Sequence, residues 1–183
     1  MVLVVKESEY VSALKRLKKR PDIVVCDSQV VDRMVADTPK GVACTTFSIL
    51  FSRIKADLVQ AAAAVAALDR LKPGDKVLIV EACTHHAIED DIGRVKIPKW
   101  LKKRAGFDVA WDVKSGKDFP EDLRDYKAVI SCGSCMFTRR EMLARVEKAR
   151  LQGVAFTNYG VAIAHLQGVL ERVLGPFPEA LAA

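Results

Sequence analysis

The sequence contains no uninterrupted apolar run of about 18 residues or more, and its amino-terminal residues lack the basic, apolar and small-residue order of a secretory leader. On ordinary length criteria these absences argue against a membrane span and a signal peptide, and point to a cytoplasmic protein. Aromatic residues make up only 7% of the chain. The net charge of +6 comes with little interleaved aromatic surface and no recognised binding motif, so Lys15 to Arg20 and Lys99 to Arg104 read as solvated helix faces and nucleic acid is not an expected partner. There is no G-x-x-x-x-G-K-[ST] phosphate loop, no G-x-G-x-x-G, no G-x-S-x-G elbow and no H-E-x-x-H. The chain therefore reads as a binder and not as an enzyme. Five cysteines, an odd number without framework spacing, argue against a secreted disulfide fold and fit thiols kept reduced.

What is present is a repeated strand-helix alternation. Val2 to Val5, Ile23 to Cys26 and Val42 to Cys44 are short apolar runs separated by helical spacing over Glu7 to Lys19 and, after a cap at Asp27 or Ser28, through Asp37. This β-α-β-α-β opening is a thin core that must lean on the rest of the chain or on another subunit. A long helical stretch, Thr46 to Leu71, follows, with a break expected near Lys55 to Asp57. Strands are then expected at Lys76 to Glu81, Val109 to Val113, Ala128 to Ile130 and Val154 to Phe156. Helices are expected at Pro98 to Arg104, Glu121 to Tyr126, Arg139 to Leu151 and Gly160 to Leu174. The fold class is α/β, a doubly wound parallel sheet with flanking helices, preceded by the small opening segment. The domain boundary falls near Thr45, giving segments 1–45 and 46–183.

The chemistry lies at the carboxyl ends of two predicted strands. Cys83 stands in Glu81-Ala82-Cys83-Thr84-His85-His86, and Cys132 with Cys135 in Ser131-Cys132-Gly133-Ser134-Cys135. In open α/β sheets ligands bind at this edge, so the three thiols are expected to meet there. A saturated 4Fe-4S site takes four cysteines, so three would leave one iron exchangeable. Zinc on Cys83, His85, Cys132 and Cys135 is the close rival. A domain that folds by burying its own core does not need a structural metal, which favours the cluster. A C-x-x-C dithiol oxidoreductase is a further reading, but it leaves Cys83 without a role. The fourth ligand stays open among His85, Glu89, Asp90, Asp91, water or an exogenous molecule. Arg94, Lys96, Arg139 and Arg140 can surround a bound anionic complex with positive charge, or lie on the surface. Asn158 and Tyr159 can line the same pocket, or form a turn and helix cap. Cys26 and Cys44 are expected in the core, and His165 in the core or at an interface.

With those residues in place, Glu81 to His86, Asp91 to Pro98, Cys132 to Cys135 and Thr157 to Ala162 closely resemble the FeFe-hydrogenase maturation factor family HydF, and Asp27 to Gln29 and Thr46 to Phe51 look like the same family. The family pattern C-x-H followed by H-C-x-x-C is matched by Cys83, His85, Cys132 and Cys135, with Ser131 in place of the second histidine. The resemblance implies part of a dimerisation domain, followed by an iron-sulfur domain, without the family's GTPase domain. It also implies a scaffold, not a catalyst. That scaffold would hold a 4Fe-4S cluster on three cysteines, take up a di-iron carbonyl and cyanide precursor, and deliver it to apo FeFe-hydrogenase. Radical-SAM hydrogenase maturases and a second copy of the chain are the other implied partners, with no membrane involved.

Overall fold

The computed structural model describes residues 2–82 and 91–182. Tyr10–Arg16 forms α1, after a 3-10 turn at Glu7–Glu9, and its Tyr10 hydroxyl lies 2.6 Å from Thr38 Oγ1. Strands β1 (Ile23–Cys26) and β2 (Ala43–Thr46) pair in parallel, Ile23 opposite Ala43. Between them a 3-10 turn and α2 (Val31–Asp37) form the crossover, opened by Asp27, whose carboxylate accepts the Gln29 N–H at 2.9 Å. The expected strand at Val2 to Val5 does not form. Among the described residues β1 pairs only with β2, and Val2 and Val4 are 89% and 87% exposed. An apolar run with neither a ladder partner nor a face to cover it has nothing to repay the ordering of its backbone.

The long helical stretch breaks where the sequence indicates. Helix α3 (Phe47–Lys55) begins at the Thr46 cap and ends at Ala56, and Asp57 caps α4 (Leu58–Ala64) by accepting the Gln60 N–H at 3.0 Å. Strands β3 (Lys76–Glu81), β4 (Ala110–Ser115), β5 (Tyr126–Ser131) and β6 (Ala155–Asn158) form one parallel sheet in the order β4-β3-β5-β6. The helices are α5 (Ile97–Ala105), α6 (Arg139–Leu151), α7 (Tyr159–Leu166), α8 (Leu170–Leu174) and α9 (Pro178–Leu181).

Val77, Leu78, Ile79 and Val80 of β3 are all at most 1% exposed because helices cover both faces. Such burial contributes about 1.5–3 kcal/mol per side chain. On one face Val77, Ile79 and Ile130 join Ile49, Leu101, Ile163 and Leu174, and the same core takes in Val31, Met34 and Cys44. The amino-terminal segment thus leans on the main sheet. On the other face Leu78, Val80 and Val129 pack with Met142, Val146 and Ala149 of α6. This is the doubly wound arrangement.

Two expected helices are corrected. Residues 121–125 form no helix: Asp122 accepts the Arg124 N–H, and Gln152 accepts from Leu123 N–H at 2.7 Å while donating to the Glu121 carbonyl. These bonds take the backbone groups a helix would use and sink Leu123 into the second core. The final helix is split between α7 and α8 at Gly168, whose φ of 74° lies in the left-handed region.

Candidate functional site

In the order β4-β3-β5-β6 the chain leaves β3 toward β4 on one side and returns to β5 on the other, so the strand order reverses between β3 and β5. The crevice at the carboxyl ends of those two strands is where this architecture places ligands. Cys132 stands there, directly after β5. Its N–H donates to the Val80 carbonyl at 2.8 Å. Its sulfur accepts from the Ala82 N–H at 3.1 Å and the Ser134 N–H at 3.4 Å. Two backbone N–H groups are thus aimed at one sulfur. Ala82 is the covalent neighbour of Cys83. The residues Cys83, His85 and Asp90, together with His86 and Glu89, lie outside the described residues.

The loop after Cys132 is sharply turned. Ser134 has a φ of 54° and is 2% exposed, a conformation that non-glycine residues adopt only when the surroundings hold them. The Ser134 hydroxyl donates to the Cys132 carbonyl at 3.1 Å and lies 3.3 Å from Ser131 Oγ. Ser131 is thereby turned into the loop, 1% exposed. Cys135 is exposed. The helix that follows, α6, starts with a reciprocal cap: Glu141 N–H donates to Thr138 Oγ1 at 3.3 Å, and Thr138 N–H donates to Glu141 Oε2 at 2.8 Å. The Glu141 carboxylate answers the positive end of α6, leaving less of it for a thiolate.

Three of the four cationic candidates are engaged locally. Arg94 donates to Glu81 Oε2 at 3.0 Å, and Ser115 donates to the same oxygen at 3.0 Å. Lys96 donates to Gln29 Oε1 at 2.6 Å, linking the segment before α5 to the 3-10 turn after β1. Arg139 donates to the Ile54 carbonyl at 3.1 Å. Asn158 is a helix cap, its Oδ1 accepting from Val161 N–H at 2.9 Å and its Nδ2 donating to the Ser48 carbonyl at 2.7 Å. Tyr159 is 6% exposed, and among the described residues its hydroxyl has no hydrogen-bond partner. Burial, then the nearby Glu81 carboxylate, pushes its phenol well above the usual range. A methyl group on Gly93 would overlap that hydroxyl and sit 2.9 Å from Glu81 Oε1.

Two contributors escape sequence reasoning. Lys55 reaches the loop from α3 and donates to the carbonyls of Ser134, Cys135 and Phe137 at 3.2, 2.8 and 2.9 Å. Arg145 is held between the Phe119 and Phe137 rings, 4.8 and 4.2 Å from their centroids, and donates to the Gly116 carbonyl. Neither lies within a motif. Beneath the loop, between Phe51, Lys55, Cys132, Ser134 and Asn158, is a cavity of about 20 Å³, room for roughly one water. A 4Fe-4S cluster does not fit in that volume. Among the described residues no three His, Cys, Asp or Glu side chains are grouped to hold a metal ion.

The remaining thiols are inert by environment. Burial pushes the Cys26 thiol up to about 12, aided by Asp27, Cys44 and Asp32, and burial also raises Cys44, opposed by Arg172. Iodoacetamide at about pH 8, well below the Cys26 value, is expected to label Cys135 first and to spare Cys26 and Cys44 in the folded protein. Peptide-resolved mass spectrometry checks the order.

The fold and this edge define the class: a doubly wound α/β protein with a C-x-x-C loop at its switch point. Residues 59–176 match the hydrogen maturase F tetramerization domain, and residues 1–56 match the hydrogen maturase F dimerization domain. The chain belongs to the HydF family of hydrogenase maturation proteins. No curated protein matches it. Both matched units are oligomerisation domains, so the chain carries the means to self-associate. Among the described residues no helix is long and apolar enough to cross a membrane.

Proposed function

We propose that this chain is a metallocofactor scaffold in FeFe-hydrogenase maturation, with Cys83, Cys132 and Cys135 holding a 4Fe-4S cluster whose fourth iron is exchangeable. The observation that carries the reading is the Cys132 sulfur at the switch point, bonded by the N–H of the residue that precedes Cys83. Two of the three donors support it: a half-buried thiol with two N–H donors and an exposed thiol three residues on. When bound, the cluster would supply an iron able to take an external ligand.

The cargo is a di-iron precursor bearing carbonyl, cyanide and dithiolate ligands, received from radical-SAM maturases and passed to apo FeFe-hydrogenase. Its negative charge suits an edge that carries Arg94, Lys96 and Arg139, with Asn158 and Tyr159 beside it. His85 and Asp90 are the candidates to complete the fourth iron between deliveries. The role is binding and release, not turnover, and a homodimer is the expected carrier.

Anaerobic reconstitution with iron and sulfide tests this. About four irons per chain and a half-integer-spin EPR signal on reduction are expected, followed by infrared bands of bound carbonyl and cyanide after incubation with a synthetic di-iron complex. A colourless protein holding stoichiometric zinc and refusing iron would replace the scaffold by a structural Cys3His domain.

A further inference from the structure

Lys55 is the last residue of α3, and its ammonium has three donors and meets three carbonyls, those of Ser134, Cys135 and Phe137. The ammonium also lies 5.5 Å from the centroid of the Phe51 ring one turn earlier. A second bond from the same helix end, Ile54 carbonyl to Arg139 Nε at 3.1 Å, ties α3 to the first turn of α6. The carbonyl oxygen and N–H of a trans peptide point in opposite directions, and the described chain contains no cis peptide. Drawing the carbonyls of Ser134 and Cys135 toward Lys55 therefore turns the N–H groups of Cys135 and Met136 away from α3. Successive N–H groups turned to one side form a concavity for anions.

We infer that Lys55 is the positioning residue of the thiol loop: by gathering three carbonyls it holds Ser134 in its left-handed conformation and fixes where the Cys132 and Cys135 thiols stand. The loop belongs to the segment matched by the tetramerization domain, whereas Lys55 lies in the segment matched by the dimerization domain. The shape of the thiol site is thus set by a side chain from the other unit. Only the last step, the effect on a bound cluster, rests on the scaffold reading.

Full-chain wild type, Lys55→Met and Lys55→Arg, reduced and iron-free, are alkylated with iodoacetamide, and the rates at Cys132 and at buried Cys44 are read by peptide mass spectrometry. Loss of three charge-assisted bonds is expected to speed Cys132 labelling about tenfold or more in Lys55→Met, with Cys44 unchanged. Arginine, a planar fork, is expected to restore the slow rate only in part. A Cys132 rate within about twofold of wild type overturns the inference, as does a parallel rise at Cys44, which would make the lysine a general stabiliser. Reconstituted samples then show a moved midpoint potential and EPR line shape in Lys55→Met, and an unmoved potential counts against positioning. A wild type that binds no iron would refute the scaffold reading alone, because the alkylation rates decide Lys55 without metal.

Discussion

Cys132→Ala is expected to reduce retained iron and acid-labile sulfide to less than about one tenth of the wild-type content, the response of a three-cysteine site with no spare thiolate. Cys132 is the best supported of the three proposed ligands. It sits where the strand order reverses, its backbone extends the β5 ladder to Val80, and its sulfur already accepts two N–H bonds. The control is Cys26→Ala, which removes a half-buried thiol packed against the main core and pushed up to about 12. That variant is expected to retain iron at the wild-type level. Cys83→Ala decides between chemistries. A scaffold loses its cluster with Cys83 as it does with Cys132, whereas a C-x-x-C oxidoreductase needs only Cys132 and Cys135. Iron and sulfide analysis after anaerobic desalting reads all three variants, and wild-type iron content in Cys132→Ala would sink the scaffold reading.

The elements legible in the sequence are those whose signals are local. Helix α6 starts and stops where its sequence says because Thr138 and Glu141 form a reciprocal cap and Met142, Val146 and Ala149 recur on one face. Strand β3 was legible as a continuous apolar run, the mark of a strand buried on both faces. The failures have equally local causes. Val2 to Val5 has the composition of a strand but, among the described residues, no strand to pair with, and pairing is not written in composition. Residues 121–125 have helical composition, but Gln152, far along the chain, takes their backbone groups. At the site the sequence names the thiols of Cys132 and Cys135 and their sheet edge. It does not name Lys55, which acts across 79 to 82 residues of chain, nor Arg145, whose aromatic sandwich exists only after folding. Asn158 shows the two levels together: its capping bond to Val161 is readable from spacing, its bond to Ser48 is not.

Gly160→Ala is expected to destabilise the protein by about 1–3 kcal/mol, the usual cost of forcing a carbon into a packed core. A Cβ at Gly160 would lie 2.7 Å from Ser48 Cβ, 2.8 Å from Ile49 N and 3.0 Å from Thr46 Oγ1. The obstacle is the first turn of α3, with its Thr46 cap and the Ser48 carbonyl that Asn158 grips at 2.7 Å, and not a flexible side-chain tip. Relief requires α3 and α7 to separate, and α3 is the helix that ends in Lys55. The strain is therefore expected to reach the thiol loop and raise Cys132 alkylation along with the loss of stability. Gly41→Ala is the matched control. Its nearest neighbour is the end of the Arg20 side chain at 3.6 Å, and a permissive glycine replaced by alanine is expected to be neutral or to stabilise by about 0.4–1 kcal/mol. Urea denaturation reads both variants, with a lowered midpoint and unchanged slope for Gly160→Ala. Equal midpoints would mean that the two helices do not approach as closely as the structure places them, and the route from the dimerisation segment to the thiol loop would lose its mechanical basis.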